Sequence, residues 1–145
     1  MSIPRIVRDF YDHIWERGDL EAAFELVSDD VVFRGSLGTE MVGRPSFLEY
    51  VRTVRAAVGD YRCEILACVT ECDQAFAKTR FSGTHVGTFR GYAPTGKRIE
   101  WLGAALFRFE GNVIVELWVL GDVTGLEARL EANRIAATND QHRDA

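Results

Sequence analysis

One carboxylate closes a strongly apolar run in this chain, Glu116-Leu117-Trp118-Val119-Leu120-Gly121-Asp122. An ionised carboxylate avoids apolar surroundings unless something pairs it or uses it, so Asp122 needs a reason. One reason is chemical. At the floor of an apolar pocket, a single Asp can take a proton from a carbon beside a carbonyl and return it to the alkoxide that forms. The other reason is structural, a solvated strand end or the N-cap of a following helix. Candidate walls for such a pocket are Trp101, Phe107 and Trp118 near Asp122, with Tyr11 and Trp15 from the start of the chain. Tyr11 and Trp15 read equally as core, although a buried Tyr11 hydroxyl would need a partner. His85 reads either as a hydrogen-bonded structural histidine or as a substrate contact. Glu116 reads as half of an ion pair with an arginine.

Other chemistries lack their parts. There is no Gly-x-Ser-x-Gly elbow, no phosphate-binding loop, no dinucleotide fingerprint and no His-Glu-x-x-His. The three histidines, His13, His85 and His142, are scattered, and no ligand cluster for a metal is apparent. Neither metal nor cofactor is therefore expected. The three cysteines, Cys63, Cys68 and Cys72, crowd one stretch without a Cys-x-x-Cys pair. They read as free thiols of a cytoplasmic protein. A net charge of −5 argues against a nucleic-acid partner, since phosphate binding relies on Lys and Arg. No run approaches the roughly 20 apolar residues of a membrane span, and the first residues lack a signal peptide's apolar core.

The elements that must position these side chains fall in a clear order. At 145 residues and 47% hydrophobic content the chain suits one domain, 1–145, with a substantial core. Ile3, Ile6, Val7, Phe10, Tyr11, Ile14 and Trp15 recur at helical spacing and predict a helix ended by Gly18-Asp19. A short helix follows to about Val27, then a turn at 28–30, a strand at Val31–Phe33 and a loop over 34–44. Pro45 suits the first turn of a third helix, whose buried stripe is Phe47, Leu48, Val51, Val54 and Val58. Strands are expected at about 61–72, 75–90, 97–110 and 112–123, with a helical tail near 124–136. Helices first and antiparallel strands after make an α+β fold.

Glu110-Gly111-Asn112-Val113 reads as a two-residue hairpin turn. Uninterrupted pairing from there sets Phe107 opposite Glu116, Ala105 opposite Trp118, Gly103 opposite Leu120 and Trp101 opposite Asp122, all on one face. Gly103 and Ala105 among those large residues would leave room for a ligand. Arg108 would lie on the opposite face from Glu116. The opposite face would expose Leu102, Leu106, Leu117 and Val119, an apolar patch that suits a homodimer. A one-residue slip would move every one of these side chains to the other face.

Three motifs carry a resemblance. Gly83-Thr-His-x-Gly-x-Phe-x-Gly-x-x-Pro-Thr-Gly-Lys97, Phe107-Arg108-Phe109 with Glu116-x-Trp118-x-x-x-Asp122, and Phe10-Tyr11-x-x-x-Trp15-x-x-Gly18-Asp19-Leu20 together resemble the SnoaL-like polyketide cyclases. The resemblance implies the NTF2-like cone, a curved antiparallel sheet wrapped on three N-terminal helices around a central pocket. It further implies ring closure of a small apolar, polyketide-like carbonyl substrate without cofactor or metal, with Asp122 as acid/base. Aromatic walls fit that role by holding the substrate folded. Leu117 departs from the pattern, since many relatives have His there. Two other functions fit the same scaffold. One is an epoxide hydrolase or dehydratase, which would want a second carboxylate bridged by arginine. The other is a non-catalytic binder of small apolar ligands.

Overall fold

The computed structural model describes residues 2–143; Met1, Asp144 and Ala145, the outermost positions of the expected domain, lie outside it. Six strands form one curved sheet in the order β2-β1-β6-β5-β4-β3. They are β1 (Val27–Arg34), β2 (Glu40–Val42), β3 (Val58–Glu71), β4 (Gln74–His85), β5 (Arg98–Glu110) and β6 (Val113–Gly121). Helices α1 (Arg5–Asp9), α2 (Ala23–Leu26) and α3 (Arg44–Ala57) precede the long strands, and α4 (Val123–Arg143) follows them. The α+β class and the helices-then-strands order hold.

The first helix does not stay α-helical. From Phe10 to Glu16 it widens to a π-helix, and the Arg17 N–H reaches back to the Asp12 carbonyl at 3.1 Å. Widening changes which residues share a face, so Phe10, Tyr11, Ile14 and Trp15 are all buried. They pack with Phe47, Leu48, Val51 and Val54 of α3 into the hollow of the sheet.

The sheet departs from expectation in three places. It is not antiparallel throughout, because β1 runs parallel to β6. Parallel neighbours need a long crossover, and here everything from β2 to the β5–β6 turn supplies it. Second, the stretch expected as a loop contains β2, which pairs with β1 through Val32 and Val42, and β1 itself begins at Val27. Third, β4 stops at His85 and not at 90. Val86 and Gly87 turn away and donate to the Ala57 carbonyl at 2.9 and 3.1 Å, and Phe89 and Tyr92 then close a turn on each other. The tail helix is longer than its pattern suggested, running to Arg143, and Leu126, Leu130 and Asn133 are its buried residues.

The β5–β6 hairpin holds the decisive correction. Its turn is where the sequence placed it, with Gly111 at a positive φ of 61° and Glu110 paired with Val113. Beyond Phe109–Ile114 the register shifts, so Val115 is an extra residue and Arg108 pairs with Glu116. One bulged residue moves everything beyond it in β6 to the other face. Phe107 is opposite Leu117, Ala105 opposite Val119, and Leu106 opposite Trp118. Leu117 and Val119 are therefore buried, at 2% and 5% exposure, and Trp118 is 42% exposed on the outside. The outer apolar patch exists, but its members are Phe76, Leu102, Leu106, Trp118 and Leu120. Arg108 and Glu116 share that outer face and bond at 2.7 Å.

Candidate active site

Between the helices and the hollow of the sheet lies a cavity lined by Phe10, Tyr11, Trp15, Phe33, Gly35, Ser36, Tyr50, Val54, Tyr61, Phe81, Leu117 and Val119. Each wall follows from local structure. The π-helical turn presents Phe10, Tyr11 and Trp15, the α3 stripe presents Tyr50 and Val54, and strand alternation presents Phe33, Tyr61 and Phe81. The void is about 20 Å³, room for about one water. Rings interlock around it, with Trp15 5.1 Å from Tyr61 and Phe33 5.2 Å from Tyr50 between centroids.

No lining residue carries a formal charge, so the polar chemistry rests on hydroxyls. The Tyr11 hydroxyl is buried without a hydrogen-bond partner. Burial pushes it well above the ordinary value of 10.0, with smaller pushes from Cys63 and Cys68, and Tyr61 is raised the same way. Both are therefore neutral donors at physiological pH. Tyr50 is also raised by burial, and its hydroxyl accepts the Leu37 N–H at 3.2 Å. Trp101 reaches the cavity indirectly, donating its Nε1–H to Ser36 Oγ at 3.4 Å.

The residues singled out from the sequence divide sharply. Tyr11 and Trp15, which read equally as core or as pocket wall, line the cavity, and Trp101 stands behind Ser36. Phe107 is core, fully buried and edge-on to Tyr11 at 5.9 Å, and it does not reach the void. His85 is fully buried with neither ring nitrogen bonded, but it sits beyond the cavity wall with its ring 6.5 Å from Phe89. Trp118 is outside, with the Arg34 guanidinium 5.8 Å over its ring. The room expected at Gly103 is taken, since a Cβ there would run into the Phe81 ring.

Asp122 lies outside the aromatic cavity. It is exposed at the head of α4, where its Oδ1 accepts the Gly125 N–H at 2.9 Å and its carbonyl accepts that of Leu126 at 3.1 Å. That is an N-cap. Asp122 lines one groove with Arg80, Glu100, Trp101, Leu102 and Arg129, and borders a second, apolar one on the outer face with Phe76, Leu102 and Leu120. The bulge at Val115 explains the displacement, because it turns β6 over and brings Leu117 and Val119 inward.

The sequence reading missed Tyr50, Tyr61, Phe81 and Ser36. Tyr50 was findable, lying three residues after Phe47 and four before Val54 on the α3 stripe. Ser36 sits in a loop, where periodicity carries no information. Among the described residues no group of three or more His, Cys, Asp or Glu is placed to hold a metal ion.

Comparison with known proteins bears on the same architecture. The family model described as SnoaL-like polyketide cyclase matches residues 5–130. A proposed polyketide cyclase from Acidithiobacillus ferrooxidans is 27% identical over 92% of this chain and 99% of its own, with a TM-score of 0.80. AclR, a proposed hydroxylase from Streptomyces galilaeus, is 25% identical over 88% of this chain and 94% of its own, with a TM-score of 0.76. An LEH-like epoxide hydrolase from M. tuberculosis shares the fold, with a TM-score of 0.73 at 14% identity over 94% of this chain and 90% of its own. No curated protein matches the chain. The aromatic cone, its helices and the family match over most of the length agree: this chain belongs to the SnoaL-like polyketide cyclase family.

Proposed function

We propose that the protein binds a small, neutral, conjugated carbonyl compound in the aromatic cavity and promotes its ring closure or isomerisation without a cofactor. The observation that carries this reading is the Tyr11 hydroxyl, a buried donor with no protein acceptor on a residue that lines the aromatic cavity. A buried polar group without a partner is costly, and a ligand oxygen would satisfy it. In an aldol-type closure the enol carbon attacks a second carbonyl. Tyr11 donates a hydrogen bond to the developing alkoxide, and the enol's own proton neutralises it. Stabilising that oxyanion from a preorganised donor in a water-poor site is worth about a hundredfold in rate. The walls hold the chain folded, which lowers the entropic cost of closure.

Asp122 enters this reading as a helix cap. Its service as acid/base would require a substrate in the outer groove beside Trp101. The hydrolase alternative has no carboxylate on the cavity wall to position a water. Non-catalytic binding is favoured by a specific observation, the absence of any carboxylate or imidazole from the cavity lining.

Tyr11→Phe tests the proposal, since it keeps the ring and removes the donor. Turnover of a polyketide-like dicarbonyl should fall about a hundredfold. Thermal stability should hold or rise slightly, because an unpaired buried hydroxyl is lost. Unchanged turnover removes Tyr11 from the mechanism. Binding without turnover in the unmodified protein favours the ligand carrier.

The outer face belongs to the same reading as a homodimer contact. Phe76, Leu102, Leu106, Trp118 and Leu120 adjoin through the β4–β5–β6 pairings, with the Arg108–Glu116 pair at their rim. A patch carrying both charge signs at its edge can meet its own two-fold copy.

A further inference from the structure

A void with room for one water admits no substrate, so some wall must move. Ten of the twelve lining residues sit on a helix or strand; Gly35 and Ser36 alone do not. They begin the turn that joins β1 to β2, closed on itself by the Gly38 N–H to the Gly35 carbonyl at 3.3 Å.

Three ties from other elements hold this turn against the cavity, and the neighbouring Arg34 guanidinium adds a fourth, donating to the Gly35 carbonyl at 3.3 Å and to the Val119 carbonyl. The Leu37 N–H donates to the Tyr50 hydroxyl at 3.2 Å, the Trp101 Nε1–H donates to Ser36 Oγ at 3.4 Å, and the Gly121 N–H donates to the Ser36 carbonyl at 3.2 Å. The fit is close as well. A Cβ on Gly35 would run into the Tyr50 ring, and one on Gly121 would lie 2.7 Å from the Ser36 carbonyl oxygen. Leu37 is the one large apolar side chain of the turn and packs partly buried against the core, and hydrogen bonds hold the rest of its closure. Segments of that kind open at low free-energy cost while the surrounding core stays folded.

We infer that the Gly35–Gly38 turn is the gate of the aromatic cavity, with Tyr50 and Trp101 as its latches. Opening the turn frees the Tyr50 hydroxyl and the Trp101 indole N–H, both facing the space the turn vacates. The same two side chains then meet an entering ligand's oxygen. The closed gate thus occupies hydrogen-bonding positions that a substrate takes over, so binding replaces bonds already made. This inference rests on the proposed function for what enters, and not for how the turn is held.

Tyr50→Phe and Ser36→Ala each remove one tie and leave the ring packing in place. Amide exchange at Leu37 and Gly121 should speed up about fivefold in either variant, the weight of one ordinary hydrogen bond. Exchange at Val54 and Leu117 should not change. Stopped-flow association of prodan, a neutral naphthalene ketone, should accelerate by a similar factor. Unchanged exchange at Leu37 and Gly121 overturns the gate. So does a rise spread across the whole chain, which reports lost stability. So does prodan binding at the same rate in all three proteins. Faster exchange at the two amides in a protein that does not bind prodan supports the gate and counts against the proposed ligand class, so the two readings fail separately.

Discussion

The two faces of the β5–β6 hairpin use similar residues for opposite ends. Inward, Trp101, Ala105, Phe107, Leu117 and Val119 are buried and close the aromatic core. Outward, Leu102, Leu106, Trp118 and Leu120 are 40–50% exposed, beside the Arg108–Glu116 pair. Both faces are apolar, so hydrophobicity alone does not say which is the inside. The π-helical turn and α3 decide it by covering one face and leaving the other. The extra residue Val115 decides which half of β6 each face receives. Burial and exposure here are set by one bulge and two helices, and the chemistry on each face follows.

The sharpest way to break this contrast is to truncate one ring from each face. Phe107→Ala should cost about 3–5 kcal/mol in urea unfolding, because the ring is fully buried between Phe10 and Tyr11. Trp118→Ala should cost the isolated chain far less. A similar loss for both would mean that the outer face is covered even within one protomer. Next in size is assembly. Trp118→Glu places a charge at the middle of the outer patch and should weaken a homodimer by about 2 kcal/mol or more. Light scattering at micromolar concentration reads this directly, and a monomer in the unmodified protein removes the homodimer from the proposal.

A smaller effect tests Asp122 outside the cavity. Asn caps a helix about as well as Asp, whereas Ala does not. Asp122→Ala should cost about 1 kcal/mol, and Asp122→Asn should leave both stability and turnover near their starting values. Turnover abolished in Asp122→Asn with stability intact would restore the carboxylate to the chemistry and shift the site to the groove beside Trp101. The smallest effect is alkaline. Tyr61 is raised above 10.0 chiefly by burial, so the unfolded chain loses that proton first. Its contribution is complete below 10.0 and is lost as pH rises through the folded value. Half a unit above the ordinary value Tyr61 should account for a little under about 1 kcal/mol of the loss, read as the difference between the unmodified protein and Tyr61→Phe. Equal losses in the two proteins would place Tyr61 in contact with solvent.

Much of this molecule was legible in its amino acids. Phe47, Leu48, Val51 and Val54 recur at the spacing of one helical face, and α3 buries that face. Gly111-Asn112 tolerates the backbone of a tight turn, and the hairpin turns there. Tyr11 and Trp15 stood out as a buried aromatic pair with one hydroxyl to satisfy, and they line the cavity. Such features depend on neighbours within a few residues, where the chain's geometry leaves few choices. The motifs also carried the family. What the residues could not convey depends on contacts distant in sequence. No local signal marks Val115 as a bulge, since its side chain resembles those around it and the shift arises only as β6 pairs with both β5 and β1. Ser36 meets Trp101 and Gly121 only after the sheet has curled. The side of the sheet that holds Asp122 was a question of strand register. Register is settled by the sum of pairings and burial over the whole sheet, and one inserted residue reverses it.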